Sequence, residues 1–298
     1  MHLQIDGDVL LYKCGFAAEK THYKVIVAEQ GDEDGEYPVE DAKAAKKLIA
    51  ELEERGIKAS RVAETDIQPL GFAIQNLKTK IASIMEATRE SYSSKHPYPC
   101  NTFTIWLSGG NNYRDQLVDD YKANRPDRKP HWFKQLKDYL IDQYHAEVTY
   151  GQEADDAMAI AQYQSFEDTM IVTIDKDLKM VPGRHCNLES LEMFEVTPIE
   201  GLRFFYKQII TGDSTDNIKG LYKMLNIKAT KKYLAPIDEM DDELSMWLYV
   251  LGVFDGIPEE EVITNARLLW MRSKEDEMWE PPTNRIERYL TEEELAGC

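Results

Sequence analysis

The order of strands and helices predicts an α/β protein with a mainly parallel central sheet and helices on both its faces. A helical arch and a helical C-terminal part complete the expected fold. Three observations carry the prediction. Short apolar runs at His2-Leu3-Gln4-Ile5, Phe103–Leu107 and Met170–Ile174 read as buried strands. Segments with apolar residues at helical spacing separate them. From about residue 198 onward the pattern is all helical.

The first strand ends on Asp6-Gly7-Asp8, and Leu10 to Ala18 continues as a helix. Tyr23 to Ala28 alternates like a strand, Gln30 to Glu36 is an acidic turn, and Val39 to Arg55 is a helix that stops at Gly56. Residues 21–65 are therefore read as a small strand–helix insertion. Pro69 opens a long amphipathic helix on which Leu70, Ile74, Leu77, Ile81 and Ile84 share a face. After Phe103–Leu107 and the turn Ser108–Asn112, residues 113–145 read as helical with a break at Arg125–Pro130. Tyr150–Asp156 opens a helix running to Gln164, and Met170–Ile174 ends on Asp175-Lys176-Asp177. The expected division is an α/β core over 1–197 and a helical region over 198–298.

The 298 residues are 43% apolar, enough for a substantial core, and carry 35 Lys+Arg against 54 Asp+Glu, a net charge of −19. Apolar runs fall far short of the ~20 residues of a membrane span, and no leader opens the chain, so a cytoplasmic protein is expected. Cys14, Cys100, Cys186 and Cys298 are scattered, which argues against a disulfide framework and against zinc. The bulk charge argues against nucleic acid as a partner, so the positions of the charges decide.

In an open parallel sheet, function collects at the carboxyl ends of the strands. Asp6/Asp8, Glu153/Asp155/Asp156, Asp175/Asp177 and Asp213/Asp216 place nine carboxylates in four short segments, each at an element boundary. Helix capping and turn formation explain any one segment. Four together in one crevice would repel one another unless cations sat among them. Hard divalent ions prefer oxygen ligands, and this many carboxylates points to two Mg²⁺ ions, with Mn²⁺ as a substitute. Against the acidic background, Tyr121 to Lys137 carries Lys122, Arg125, Arg128, Lys129, Lys134 and Lys137 with one acid, Asp127. Tyr121, Trp132 and Phe133 are interleaved, as suits stacking of a single-stranded end. Residues 217–234 carry Lys219, Lys223, Lys228, Lys231 and Lys232. Both surfaces are of the kind that neutralises phosphates.

Tyr121-Lys-Ala-Asn-Arg-Pro126, Gly151-Gln-Glu-Ala-Asp-Asp156, Thr173-Ile-Asp-Lys-Asp177 and Gly212-Asp-Ser-Thr-Asp-Asn-Ile218 resemble, in order and spacing, the motifs of the 5′-nuclease family. That family includes flap endonucleases and bacteriophage 5′→3′ exonucleases, and the length looks most like the latter. The resemblance spans roughly residues 1–235. It implies a Mg²⁺-dependent enzyme cutting DNA near 5′ ends, nicks or flaps, in phage replication or primer removal, with RNA–DNA hybrids a further candidate substrate. By the same resemblance Asp6, Glu153, Asp155 and Asp156 belong to a first metal site, and Asp175, Asp177, Asp213 and Asp216 extend to a second. Lys122 and Arg125 match the pair that contacts the scissile phosphate at the base of the arch, residues 113–145. Residues 212–234 stand where relatives grip the duplex backbone. Catalysis is accordingly assigned to Lys122, Arg125, Asp6, Asp155 and Asp175, and DNA binding to Tyr121, Lys122, Arg125, Arg128, Lys129, Lys219, Lys223 and Lys228.

Two departures stand out. The run Leu107-Ser-Gly-Gly-Asn-Asn-Tyr-Arg114 lacks the family's third-strand Asp, leaving Asp8 or water to replace it. Gly220-Leu-Tyr-Lys-Met-Leu lacks the usual glycine-rich turn that binds potassium. The rival reading is a haloacid-dehalogenase-type phosphatase with Asp6 as nucleophile and Gly212-Asp213 as its later motif. That motif should follow a strand, whereas Leu202 to Thr211 reads as a helix.

Overall fold

Near-continuous apolar strands need cover on both faces, and the chain alternates strands and helices to supply it. The computed structural model describes residues 1–27, 35–93, 102–126, 128–165 and 168–284. The elements are β1 (His2–Asp6), α1 (Gly7–Phe16), β2 (Glu19–Val27), β3 (Gly35–Val39), α2 (Ala42–Glu54), β4 (Ala59–Ile67) and α3 (Leu70–Ser93). They continue with β5 (Thr102–Ser108), α4 (Arg114–Leu117), α5 (Phe133–Tyr144), β6 (Glu147–Thr149), α6 (Ala154–Gln164) and β7 (Thr169–Thr173). A short 3-10 turn (Asp177–Met180), β8 (Gly183–Asn187) and β9 (Met193–Val196) follow. Five helices end the described chain: α7 (Pro198–Thr211), α8 (Leu221–Leu225), α9 (Lys231–Asp238), α10 (Glu243–Val253) and α11 (Glu259–Leu269).

Two compact units arise. The first combines Met1–Val9, Ile81–Arg128 and Leu140–Cys298. Its sheet has the order β6-β5-β1-β7-β8-β9, parallel except for the β8–β9 pair. The strand centres Leu3, Ile5, Ile105, Leu107, Ile171 and Val172 are fully buried, and α6 packs against β1, β5 and β7. A Thr197/Glu200 capping box starts α7: Thr197 N–H donates to Glu200 Oε2 (2.8 Å), and Glu200 N–H to Thr197 Oγ1 (3.3 Å). Phe205 on α7 meets Trp270 and Trp279 edge-on, at 4.9 and 5.6 Å between ring centres. The C-terminal helices thus share a core with the sheet, and residue 197/198 is no boundary between compact units.

The second unit combines Leu10–Lys80 with Lys129–Tyr139. Here the expected insertion is an antiparallel sheet, β3-β2-β4, covered by α2 through Val25, Val27, Ala45 and Leu52. Asp41 caps α2 by accepting the Ala44 N–H at 2.7 Å.

The expected arch is corrected. Helix is present at Arg114–Leu117 and Phe133–Tyr144, but described residues 118–126 and 128–132 form turns and extended chain. The cause is a set of bonds to the 213–218 loop. Lys122 N–H donates to the Asp216 carbonyl (3.0 Å) with Lys122 at φ 58, and the Asn217 amide donates to the Asp120 carbonyl (2.9 Å). Helical geometry cannot make those contacts. Asp127, Cys100, Cys298, most of the turn Gln30–Glu36 and the acidic stretch beyond 284 lie outside the described residues. Cys14 and Cys186 are free thiols. No described helix is long and apolar enough to cross a membrane.

Candidate active site

Parallel strands β1 and β7 are neighbours, so their final residues meet at one edge of the sheet. Asp6 closes β1 and caps α1, its Oδ1 accepting the Val9 N–H at 2.9 Å. Its Oδ2 accepts the Thr173 hydroxyl at 2.6 Å, and that hydroxyl in turn accepts the Asp175 N–H at 2.9 Å. The ends of two strands are stitched together through a carboxylate. Burial pushes the Asp6 carboxyl up to about 7 against these hydrogen bonds, with the charges of Asp8 and Asp175 adding to the rise. Asp155, in the first turn of α6, is raised well above the carboxylate range by burial and then by Asp6, Asp175 and Glu153. Among the described residues, Asp6, Asp155 and Asp175 form no ion pair with a base. These three acids are within one another's electrostatic reach and unneutralised.

The remaining carboxylates of the four segments are handled differently. Asp156 is fully buried, and both its oxygens bind the buried Arg114 guanidinium, at 2.6 and 2.9 Å. It also accepts the Glu153 and Arg272 N–H groups. Asp156, expected among the metal ligands, is here the partner of Arg114, a pairing whose spacing of 42 residues leaves no local signature. Glu153 receives Lys122 Nζ, the Tyr121 hydroxyl (3.2 Å) and Arg114 (3.4 Å). Burial opposes its charge, but Lys122 and Arg114 hold its carboxyl below the usual range. Asp216 pairs with Arg125 Nε at 2.9 Å, and Asp213 with Lys176 Nζ at 2.7 Å. Burial opposes the Asp213 charge as well, and the Lys176 contact outweighs it. Asp177 accepts the Gln208 amide at 2.7 Å; burial and then Asp175 push its carboxyl up to about 7.

Tyr121, expected as a stacking surface, is buried, and its hydroxyl bridges Glu153 and Asp216 (3.2 and 3.3 Å), so its ring is not exposed for a base to stack on. Trp132 and Phe133 serve packing in the second unit: Trp132 Nε1–H donates to the Gln68 carbonyl, and Phe133 lies 5.3 Å from the Tyr12 ring centre. Lys129 belongs to that unit too, with Nζ 5.3 Å from the Phe133 ring centre, while Arg128 is exposed in the first. Lys219, Lys223 and Lys228 are exposed around α8, with Lys223 donating to Asn217 Oδ1 at 2.9 Å. Gly212 (φ 66) and Gly220 close this loop backbone to backbone: a Cβ on Gly220 would meet the Thr211 carbonyl at 2.1 Å.

Where the expected third-strand Asp is missing, Gly109 follows β5, and a Cβ there would lie 2.1 Å from the Thr149 carbonyl. Asp8 accepts the Ser108 N–H at 3.0 Å beside it. A cavity of about 410 Å³ is lined by Arg125, Asp175, Asp177, Asp213 and Asp216. Another of about 200 Å³ is lined by the Ser108–Asn112 turn, Lys122 and Glu153.

Asp6, Asp155 and Asp175 offer only hard oxygen donors, and burial, followed by neighbouring carboxylates, raises the proton affinity of Asp6 and Asp155. In chemistry they fit Mg²⁺. In the arrangement observed, no group of three or more His, Cys, Asp or Glu side chains among the described residues is spaced to hold an ion. For the phosphatase reading, Asp213 does follow the helix α7 rather than a strand, and Asp6 has both oxygens engaged.

No family model matches the chain. Among solved structures it is similar to the T5 D15 protein co-crystallized with metal ions, at 19% identity and a TM-score of 0.48, over 64% of this chain and 81% of that one.

Proposed function

We propose that the protein is a divalent-metal-dependent nuclease that hydrolyses phosphodiesters near 5′ ends, nicks or flaps of duplex DNA, with a role in phage replication or primer removal. One observation carries the reading: three mutually repelling carboxylates without a basic partner, from β1, α6 and the end of β7, beside two bases that are themselves held by acids. Bound by Asp6, Asp155 and Asp175, with Asp177, Asp213 and Asp216 toward a second position, Mg²⁺ would polarise the phosphate and lower the pKa of water. Lys122, partly buried, and Arg125, exposed, are already oriented by Glu153 and Asp216. They exchange these carboxylates for phosphate oxygens and stabilise charge that develops in the transition state. Tyr121 keeps Glu153 and Asp216 in register with each other while that exchange takes place. Lys219, Lys223 and Lys228 neutralise duplex phosphates, which gives binding that ignores sequence and weakens with salt. The preference for 5′ ends rests on the motif resemblance.

The test uses 5′- and 3′-labelled nicked, blunt and flapped duplexes with and without Mg²⁺. Mg²⁺-dependent release of short 5′-labelled products is expected. Digestion from 3′ ends, or none on any substrate, overturns the proposal.

A further inference from the structure

A third cavity, of about 340 Å³, opens from the carboxylate edge along the last three strands of the sheet. Ile174, Asp175 and Lys176 line both this cavity and the one that holds Arg125 and Asp216, so the two share a wall. Phe194 on β9 lies along it, 38% exposed, directly opposite His185 on β8 in the antiparallel register. The two rings are stacked at 11°, with 5.2 Å between centres. His185 is buried and fixed by a 2.8 Å bond between Nε2 and the Val181 carbonyl. Burial lowers its pKa to about 4 despite that bond, so the imidazole is neutral and a fixed backing for Phe194. Lys179 carries its ammonium 5.8 Å from the Phe194 ring centre, and Lys176 stands at the shared wall.

The charges of this cavity balance, Lys176 and Lys179 against Asp175 and Glu192. A free phosphate would gain little there. An aromatic wall with flanking ammonium groups suits instead a flat neutral ring whose phosphates remain outside. From the shared wall and this balance, we infer that the cavity receives one unstacked nucleotide of the strand being cut, its base against Phe194 and its phosphate toward Asp175. The inference rests on the nuclease reading and adds a subsite to it. The site tolerates all four bases, because stacking uses only the ring face.

The test is binding of a 5′-tailed duplex with Ca²⁺ in place of Mg²⁺, with 2-aminopurine placed at successive positions around the junction. In the parent protein the fluorescence should change sharply at one position. Phe194→Ala should abolish that change and weaken binding of the tailed duplex by roughly five- to a hundredfold, leaving a blunt duplex unaffected. Phe194→Trp should retain both properties. Phe194→Leu keeps an apolar contact with His185, so it should melt like the parent yet bind like the Ala variant. Tailed-duplex binding that is equal in the parent and the Ala and Leu variants overturns the subsite alone. A parent protein that neither binds tailed duplexes nor cuts them with Mg²⁺ overturns the nuclease reading and the subsite together.

Discussion

The acidic crevice contains two kinds of carboxylate. Among the described residues, Asp6, Asp155 and Asp175 have no basic partner. Asp156, Glu153, Asp213 and Asp216 each have a cation of the chain's own, Arg114, Lys122, Lys176 and Arg125 respectively. The second group is electrostatically complete without any ligand. The first is not: burial, and then neighbouring carboxylates, raise the proton affinity of Asp6 and Asp155. Residue type alone would class all of them as metal ligands. Partner identity separates the carboxylates that the chain's own cations already neutralise from those it leaves without one.

The sharpest way to break this division is to neutralise one acid on each side. Asp175→Asn retains the oxygen that accepts the Asp177 N–H at 2.9 Å, so the β7 end should keep its shape. Cleavage with Mg²⁺ should fall roughly a thousandfold or more, while a filter-binding titration of the same duplex stays near the parental midpoint. Parental cleavage rates would remove Asp175 from the site. On the other side, Arg114→Met leaves Asp156 buried and unpaired and strips donors from the Leu268 and Trp270 carbonyls. Urea unfolding should show a loss of about 3–5 kcal/mol. A loss under 1 kcal/mol would mean that Asp156 finds another counterion and is no structural partner of Arg114.

Much of this was legible in the sequence. The three best strands, the long helix α3, the helix α7 and the strand-end positions of Asp6 and Asp175 follow from apolar periodicity and from where it stops. What was not legible has a common physical cause. β6, β8 and β9 are short strands of mixed polarity, and no apolar run announces them. Residues 118–126 have helical composition but are held in turns by bonds to residues about 90 positions away. Arg114 with Asp156, and Tyr121 with Glu153 and Asp216, are likewise long-range pairings. A motif names the acids; only the folded chain assigns their partners.

Lys122 sharpens the comparison because it stands at the border of the two groups. Its ammonium pairs with Glu153 and lies 3.8 Å from Asp216, and its charge also moderates the rise at Asp155. If it moves from these acids to a phosphate, Lys122→Ala should lower the single-turnover cleavage rate by about 10²–10³ with a smaller effect on DNA affinity. Equal losses in rate and affinity would instead make it a ground-state binding residue. Its left-handed backbone is fixed by the Asp216 carbonyl, so the turn should survive the substitution.

The smallest expected effect is the most direct reading of the unneutralised group. Asp6 ionises near 7 in the folded chain against an ordinary value of 3.8, so between these pH values the folded state holds a proton that the unfolded state has lost. Stability contributed by Asp6 is therefore fully present below about pH 4, falls as pH rises toward 7 and is flat above. Glu153 and Asp213, with lowered values, act in the opposite sense, losing their contribution as pH falls through the acid range. A single melting curve mixes these trends, but the difference between the parent and Asp6→Asn isolates one of them. In EDTA, the variant should match the parent near pH 4 and exceed it at pH 8 by on the order of 1 kcal/mol or more. Adding Mg²⁺ at pH 8 should raise the melting temperature of the parent and leave that of the variant nearly unchanged, because the ion supplies the missing counter-charge only where the carboxylate remains. Curves that run parallel from pH 4 to 8 would mean that Asp6 ionises as an exposed carboxylate does, and the division of the crevice into paired and unpaired acids would lose its physical basis.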